Sequence, residues 1–137
     1  MPTSTVFNLR ALVIDDHRTM RLIVRQLLGQ MGIHDVIEAD NGINAINLLA
    51  HMNGATPPDV IICDLHMEKM DGMEFLSHVR RGKTHVNVHT PILILTGEPD
   101  QFVLDVTAQV GATAILKKPI TAVDLSIEIE RAIGFAS

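Results

Sequence analysis

The chain is poor in cysteine and in aromatic residues, and it has no long apolar segment. One of its 137 residues is cysteine, and none is tryptophan or tyrosine. The single cysteine, Cys63, excludes a disulfide framework, and its place inside an apolar run predicts a buried structural thiol. No apolar run is long enough to span a bilayer, and residues 1–8 lack the regions of a secretion signal. We therefore expect a cytoplasmic protein with no membrane partner.

Positive charge is also scarce. The chain has 11 Lys and Arg residues against 16 Asp and Glu residues, which gives a net charge of -5. With no basic amphipathic stretch, this balance argues against a protein that binds nucleic acid or a membrane surface. The length fits one domain that can bury a hydrophobic core.

Polar residues stand at the ends of four apolar runs. Asp15 and Asp16 follow residues 11–14, Asp64 follows residues 60–63, Thr96 follows residues 92–95, and Lys118 follows residues 114–117. Such runs predict buried parallel strands, and the carboxyl ends of parallel strands share one edge of the sheet. Three carboxylates, a hydroxyl and an ammonium group should therefore converge. Such a site suits a divalent cation and a phosphoryl group.

Helical spacing alternates with these strands. The apolar pattern predicts helices over residues 20–31, after Asn41 and before Asn53, around residues 75–79, over residues 102–110 and over residues 121–133, with a short strand over residues 34–39. Thr121 with Asp124 resembles a capping box that opens the last helix. Five strand–helix units predict an α/β fold, with a parallel sheet covered by helices on both faces.

Taken in order, Asp15-Asp16, the stretch 64–72, Thr96-Gly97 and Lys118-Pro119 resemble the response-regulator receiver domain of two-component signalling, of the single-domain chemotaxis type. The likeness spans about residues 9–134. It implies a flavodoxin-like (βα)5 doubly wound sheet with strand order 2-1-3-4-5, which periodicity alone does not give. We expect residues 1–8 to be a short N-terminal extension, with no output domain, so that output would come from contact with another protein.

The resemblance also implies a role for each site residue. Asp64 would accept a phosphoryl group from a histidine kinase or a histidine phosphotransfer protein, and Thr96 and Lys118 would contact that group. The implied Mg²⁺ ligands are Asp15 (mostly through water), Asp16, Asp64 and the backbone carbonyl of His66. The phosphorylated domain would then bind a target protein through its fourth helix, fifth strand and fifth helix, as a monomer or weak dimer. It would be a signalling switch that assists its own phosphorylation and dephosphorylation, and not an enzyme acting on other substrates.

Three positions depart from the pattern of the family. His66 stands where chemotaxis relatives often carry Asn, and there it would either tune dephosphorylation or be an exposed loop histidine. Glu68 replaces a common Pro, and Ile115 replaces a Tyr or Phe, so the usual swing of an aromatic ring behind Thr96 is not available. Residues 80–90 form a longer, basic connection, for which a solvated loop is favoured over an element that binds a partner. The resemblance also allows a cis peptide bond before Pro119.

Other functions use the same fold. A phosphorelay intermediate or phosphate sink would pass the phosphoryl group from Asp64 to a histidine phosphotransfer protein, and it would need the same site. A phosphohydrolase with an aspartyl nucleophile needs a second acid two residues later, where this chain has His66. A flavodoxin needs a phosphate-binding loop after the first strand, where this chain is acidic.

Overall fold

Five parallel strands alternate with five helices in this computed structural model, which describes residues 8–52 and 55–134. The strands are β1 (Arg10–Ile14), β2 (Asp35–Ala39), β3 (Val60–Asp64), β4 (Ile92–Thr96) and β5 (Ala114–Lys117). The helices are α1 (Arg18–Gln30), α2 (Gly42–Ala50), α3 (Gly72–Arg80), α4 (Gln101–Val110) and α5 (Ala122–Ile133). The strand order is β2-β1-β3-β4-β5, which confirms the predicted flavodoxin-like sheet. Residues 1–7 of the predicted N-terminal extension lie outside the described residues.

The central strands β1, β3 and β4 are almost entirely buried, because helices cover both faces of the sheet. Side chains alternate between the faces along each strand. In β3, Ile61 and Cys63 pack in a core with α2, α3 and α4, whereas Val60 and Ile62 pack in a second core with α1 and α5. Cys63 is fully buried, as its place in an apolar run predicted.

The fourth apolar run is less buried than the sequence predicted. In β5 only Leu116 is buried, Ala114 and Ile115 are partly exposed, and Lys117 is exposed. The cause is position: β5 pairs with β4 alone and forms one edge of the sheet. Ile115 packs against the edge of the core that it shares with α4.

Side chains cap the helices close to the predicted starts. Asn41 accepts a hydrogen bond from the amide of Asn44 at 2.8 Å, and Thr121 accepts one from the amide of Asp124 at 3.1 Å. The full capping box, with bonds in both directions, lies instead at the start of α3, between Asp71 and Glu74. There the Asp71 side chain accepts a hydrogen bond from a backbone amide that the helix leaves free.

The apolar pattern located α4 but not its buried face. Phe102, which helped to predict the helix, is 73% exposed, and the buried positions are Leu104 and Thr107. Thr107 can be buried because its hydroxyl donates to the carbonyl of Val103 at 2.8 Å, one turn earlier. Among the residues described, no helix combines the length and the hydropathy that a bilayer crossing requires.

The α3–β4 connection (residues 81–91) is a largely exposed loop, as predicted, but it is anchored to the core at two points. Val86 is buried in the core, and Arg80, the last residue of α3, holds the backbone. The Arg80 guanidinium donates to the carbonyls of Val88 at 2.8 Å, Thr90 at 2.7 Å and Gly111 at 2.9 Å. Burial lowers the pKa of Arg80 from its ordinary value. One side chain therefore joins α3, this connection and the turn before β5.

Candidate functional site

The sheet brings the three predicted acids together at its carboxyl edge. Asp15 follows β1 and Asp64 ends β3, and these strands are neighbours, with Ile14 opposite Cys63. Asp15 is 2% exposed and Asp64 is 5% exposed. Asp15, Asp16, His17 and Asp64 each offer one ligand atom, and these atoms all lie within 4.8 Å of one another. The predicted convergence is therefore present, with a histidine that the sequence analysis did not include.

Two carboxylate oxygens in this cluster have no hydrogen-bond partner. They are Asp15 Oδ2 and Asp16 Oδ1, and both atoms are buried. The other oxygen of Asp15 accepts a hydrogen bond from the backbone amide of His17 at 2.8 Å. Buried carboxylate oxygens without donors are costly, and oxygen-rich clusters of this kind are where proteins hold hard cations. The cluster therefore fits a metal ion.

Lys118 supplies a positive charge next to the acids. Its ammonium group donates to Asp64 Oδ1 at 2.9 Å and lies 3.8 Å from Asp15 Oδ2. The backbone holds Lys118 in place, because its amide donates to the carbonyl of Thr96 at 2.9 Å. The peptide bond between Lys118 and Pro119 is cis. A lysine one residue past an edge strand thus reaches the acids at the centre of the sheet.

The protonation of Asp64 reflects competing influences. Burial raises its pKa, the hydrogen bond from Lys118 lowers it, and the negative charge of Asp15 raises it again, so that the pKa lies above its ordinary value. Burial is the largest of these influences, and Lys118 alone does not offset it. A bound cation would favour the ionised form of Asp64, which is the form that can act as a nucleophile.

Thr96 lies at the carboxyl end of β4 and is fully buried. Its hydroxyl oxygen accepts a hydrogen bond from the amide of Glu98 at 2.8 Å, within its own loop. The next residue, Gly97, borders open space, since a Cβ atom there would meet nothing within 4 Å. The structure thus places Thr96 on the strand next to β3, with room beside it, and its contact with a phosphoryl group stays a prediction.

An unpredicted hydrogen bond joins the two loops that flank the site. His66 Nε2, in the β3–α3 loop, lies 2.8 Å from Glu98 Oε1, in the β4–α4 loop. The pKa of Glu98 is lowered, first by a hydrogen bond from the backbone amide of Asp100 and then by the bond with His66. His66 is thus an exposed loop histidine that is bonded to the neighbouring loop, and its effect on dephosphorylation stays a prediction. The role of its backbone carbonyl as a metal ligand stays a prediction.

The start of α3 packs directly on the backbone of Asp64. The amide of Gly72 donates to the carbonyl of Leu65 at 2.9 Å. A Cβ atom at Gly72 would collide with the carbonyl oxygen of Asp64 and lie 3.0 Å from Leu65 Cα. Met67, Met70 and Met73 pack against the core beneath this loop, as such methionines usually do.

His17 is the site residue that the sequence analysis missed. Its Nδ1 lies 3.0 Å from Asp16 Oδ1 and 3.3 Å from Asp15 Oδ1. The available signal was its position, directly after two adjacent acids at a strand end. Histidine is a common metal ligand, and its side chain is long enough to turn back toward its neighbours.

Comparison with known proteins gives a consistent result. The sequence model described as "Response regulator receiver domain" matches residues 11–130. Chemotaxis protein CheY-3 of Vibrio cholerae is 31% identical over 124 residues, which cover 90% of this chain and 91% of that protein. The probable chemotaxis protein CheY of Rhizobium etli is 32% identical over 127 residues, which cover 92% of this chain and 93% of that protein.

Solved structures of receiver domains have the same fold as this chain. A response regulator receiver domain protein from Clostridium thermocellum has a TM-score of 0.79 and 31% identity, covering 93% of this chain and 96% of that one. Chemotaxis protein CheY4 of Vibrio cholerae has a TM-score of 0.75 and 33% identity, covering 90% of this chain and 98% of that one. The matched fold and the matched sequence span both the acid cluster and Lys118, and the chain therefore belongs to the family of response regulator receiver domains.

Proposed function

We propose that this chain is a phosphorylation-dependent signalling switch. Asp64 accepts a phosphoryl group from a histidine kinase or a histidine phosphotransfer protein, in a reaction that needs Mg²⁺. The observation that carries the proposal is the setting of Asp64. It is buried at the end of β3, held by Lys118 at 2.9 Å, and next to two carboxylate oxygens that have no hydrogen-bond partner.

The donor set supports Mg²⁺ as the cation. Asp15, Asp16 and Asp64 offer carboxylate oxygens, which are the ligands that this hard ion prefers. The carbonyl of His66 would complete the protein's share, with water in the remaining positions. When bound, Mg²⁺ supplies positive charge that neutralises phosphoryl oxygens during transfer.

The residues of the chain position and neutralise the transferring group. A carboxylate oxygen of Asp64 forms a bond to phosphorus while the phosphorus–nitrogen bond of the phosphohistidine breaks, and the electron pair of that bond returns to the imidazole nitrogen. Lys118 already lies against Asp64, so its ammonium group needs only a small movement to pair with a phosphoryl oxygen. Thr96 would release the amide of Glu98 and turn its hydroxyl toward the phosphoryl group.

The output surface is the face formed by α4, β5 and α5. This face exposes three large apolar side chains, Phe102 on α4 and Val123 and Ile127 on α5, on either side of the edge strand β5. Large apolar side chains that stay exposed on neighbouring elements offer apolar area to a protein partner. Lys118 and Thr96 would connect this face to the site, because Lys118 follows β5 and Thr96 ends the neighbouring strand β4.

Phosphorylation by a small-molecule donor tests the proposal. Wild type, Asp64→Asn and Asp71→Asn are incubated with labelled acetyl phosphate and Mg²⁺, and the hydroxylamine-sensitive label on each protein is measured. Asp71 is the matched control, because it is an acid of the same loop that caps α3 instead of facing the cluster. We expect label on wild type and Asp71→Asn and none on Asp64→Asn. Equal label on Asp64→Asn would refute the assignment.

A second measurement separates the switch from a phosphorelay intermediate or phosphate sink. Phosphorylated wild type is mixed with a histidine phosphotransfer protein, and the direction of label transfer is followed. A switch keeps its label until hydrolysis. Rapid and complete transfer to histidine would favour the relay function of the same site.

A further inference from the structure

His17 lies on the rim of the acid cluster, with a ring nitrogen close to two of the acids. Its backbone amide is bonded to Asp15 Oδ1 at 2.8 Å, which fixes the start of the side chain. Its Nδ1 lies 3.0 Å from Asp16 Oδ1 and 3.3 Å from Asp15 Oδ1. The rest of the imidazole extends outward, and 73% of the side chain is exposed.

The contact between His17 and Asp16 is not an ordinary hydrogen bond. Although the two atoms are 3.0 Å apart, Asp16 Oδ1 has no hydrogen-bond partner, and neither has Asp15 Oδ2. The ring nitrogen and the carboxylate oxygen are therefore close to each other without being aligned. His17 Nδ1 and Asp16 Oδ1 can therefore both face a cation that lies between them.

The spacing matches the coordination shell of a small divalent ion. Neighbouring ligands in an octahedron with bonds of about 2.1 Å lie about 3.0 Å apart, and opposite ligands lie about 4.2 Å apart. The observed separations of 3.0 Å and 3.3 Å agree with neighbouring ligands. The ligand atoms of all four residues lie within 4.8 Å of one another, compared with about 4.2 Å between opposite ligands of such an octahedron.

The positive charge of Lys118 approaches the cluster from another direction. Its ammonium group is bonded to Asp64 Oδ1 and lies 3.8 Å from Asp15 Oδ2. His17 instead contacts Asp16 Oδ1 and Asp15 Oδ1. Lys118 and His17 thus contact different carboxylate oxygens, so a cation held by His17 and the acids need not displace Lys118.

We propose that His17 is a nitrogen ligand of this cation site, and that it raises the affinity of the site for ions that favour nitrogen, such as Ni²⁺, relative to Mg²⁺. The proposal rests on the cation site of the proposed function, and it concerns which ions that site takes. Imidazole nitrogen suits transition ions, whereas Mg²⁺ prefers oxygen and keeps water in its remaining positions. Removing the imidazole should therefore weaken Ni²⁺ binding and leave Mg²⁺ binding nearly unchanged.

Calorimetric titration with Ni²⁺ and with Mg²⁺ tests the proposal at neutral pH. Only the Ni²⁺ binding that excess Mg²⁺ displaces is counted, because the chain has 7 histidines that could take Ni²⁺ elsewhere. Loss of outer-shell partners alone costs metal sites about 10- to 100-fold in affinity, so we expect His17→Ala to lose at least about tenfold for Ni²⁺. For Mg²⁺ we expect less than a twofold change.

The matched control is His89→Ala, which removes another exposed histidine from the α3–β4 connection. We expect wild-type affinity for both ions in this variant. Pulsed electron paramagnetic resonance with Mn²⁺ gives a readout of ligation itself, because a bound imidazole nitrogen couples to the metal. We expect nitrogen coupling in wild type and His89→Ala, and none in His17→Ala.

The outcomes separate this proposal from the proposed function. Unchanged Ni²⁺ affinity in His17→Ala, or nitrogen coupling that persists in that variant, would overturn the role of His17 while leaving the acid site intact. Asp64→Asn tests the acid site itself. If Asp64→Asn binds Mg²⁺ as tightly as wild type does, the proposed cation site is wrong, and the role of His17 fails with it.

Discussion

Replacing Gly72 with alanine should disturb the phosphorylation site from the backbone side. The added Cβ would collide with the carbonyl oxygen of Asp64 and lie 3.0 Å from Leu65 Cα. Both are backbone atoms at the end of a buried strand, so neither can rotate away as a flexible side chain would. Either α3 or the end of β3 must move.

The structure allows an estimate of the cost. Overpacking typically costs about 1–3 kcal/mol, and a collision with backbone belongs at the upper end of that range. Alanine is preferred over glycine in a helix by up to about 1 kcal/mol, which offsets part of the cost because Gly72 begins α3. We expect Gly72→Ala to lower the free energy of unfolding by about 2 kcal/mol. Phosphorylation by acetyl phosphate should slow by up to about 100-fold, since a shift of about 1 Å in a reacting group can have that effect.

Gly97→Ala is the matched control. Gly97 also lies beside the site, but its added Cβ would meet nothing within 4 Å, and its φ is not in the left-handed region. We expect its free energy of unfolding to stay the same or to rise by up to about 1 kcal/mol, since alanine restricts the unfolded chain. Urea denaturation and label incorporation measure both variants. If Gly72→Ala is as stable as wild type and is phosphorylated at the same rate, the reasoning about close approach is wrong.

Three further changes test the charges and the switch. Asp16→Asn should raise stability without metal by about 1–2 kcal/mol, because it relieves the repulsion between Asp16, which is partly exposed, and the two buried acids, and it should abolish the rise in Tm that millimolar Mg²⁺ gives wild type; a variant that keeps that rise would count against the site. Burial raises the pKa of Glu38, but hydrogen bonds from Arg25 and Arg21 outweigh that effect. The pKa of Glu38 therefore lies below its ordinary value. Wild type should therefore be more stable than Glu38→Gln above pH 4.5 and should lose this advantage as the pH falls through the lowered pKa, which urea titration at several pH values would detect; an advantage that is constant with pH would contradict the assignment. Ile115→Val should keep the phosphorylation-induced chemical-shift changes of residues 96–100, because an aliphatic side chain at the edge of the core has no inward and outward aromatic states; their loss would make this residue part of the switch.

Most of the site could be predicted because it depends on strand ends. Asp15, Asp64 and Thr96 each directly follow or end an apolar run, and a parallel sheet brings all such positions to one edge. To predict that these residues converge, one needs only the positions of the strands and their order in the sheet. The strand order came from the resemblance to a family, since the apolar pattern does not state which strand lies beside which.

Contacts that depend on loop paths and side-chain rotamers could not be predicted in this way. The bond between His66 and Glu98 spans two loops that are 32 residues apart in the chain. The contact of His17 with its neighbouring acids depends on the turn after β1. The outward position of Phe102 depends on the rotation of α4 about its axis. The apolar pattern of Phe102, Val103, Val106 and Val110 does not fix that rotation.

The anchoring of the α3–β4 connection by Arg80 has a consequence for how this surface can vary. Arg80 binds three carbonyl oxygens, and every amino acid supplies that group to the backbone. The path of the connection is therefore largely independent of its outward side chains, such as those of Lys83, His85 and His89. Relatives or designed variants can exchange these side chains, and so acquire a different local charge, while the strand that carries Thr96 still begins at the same place.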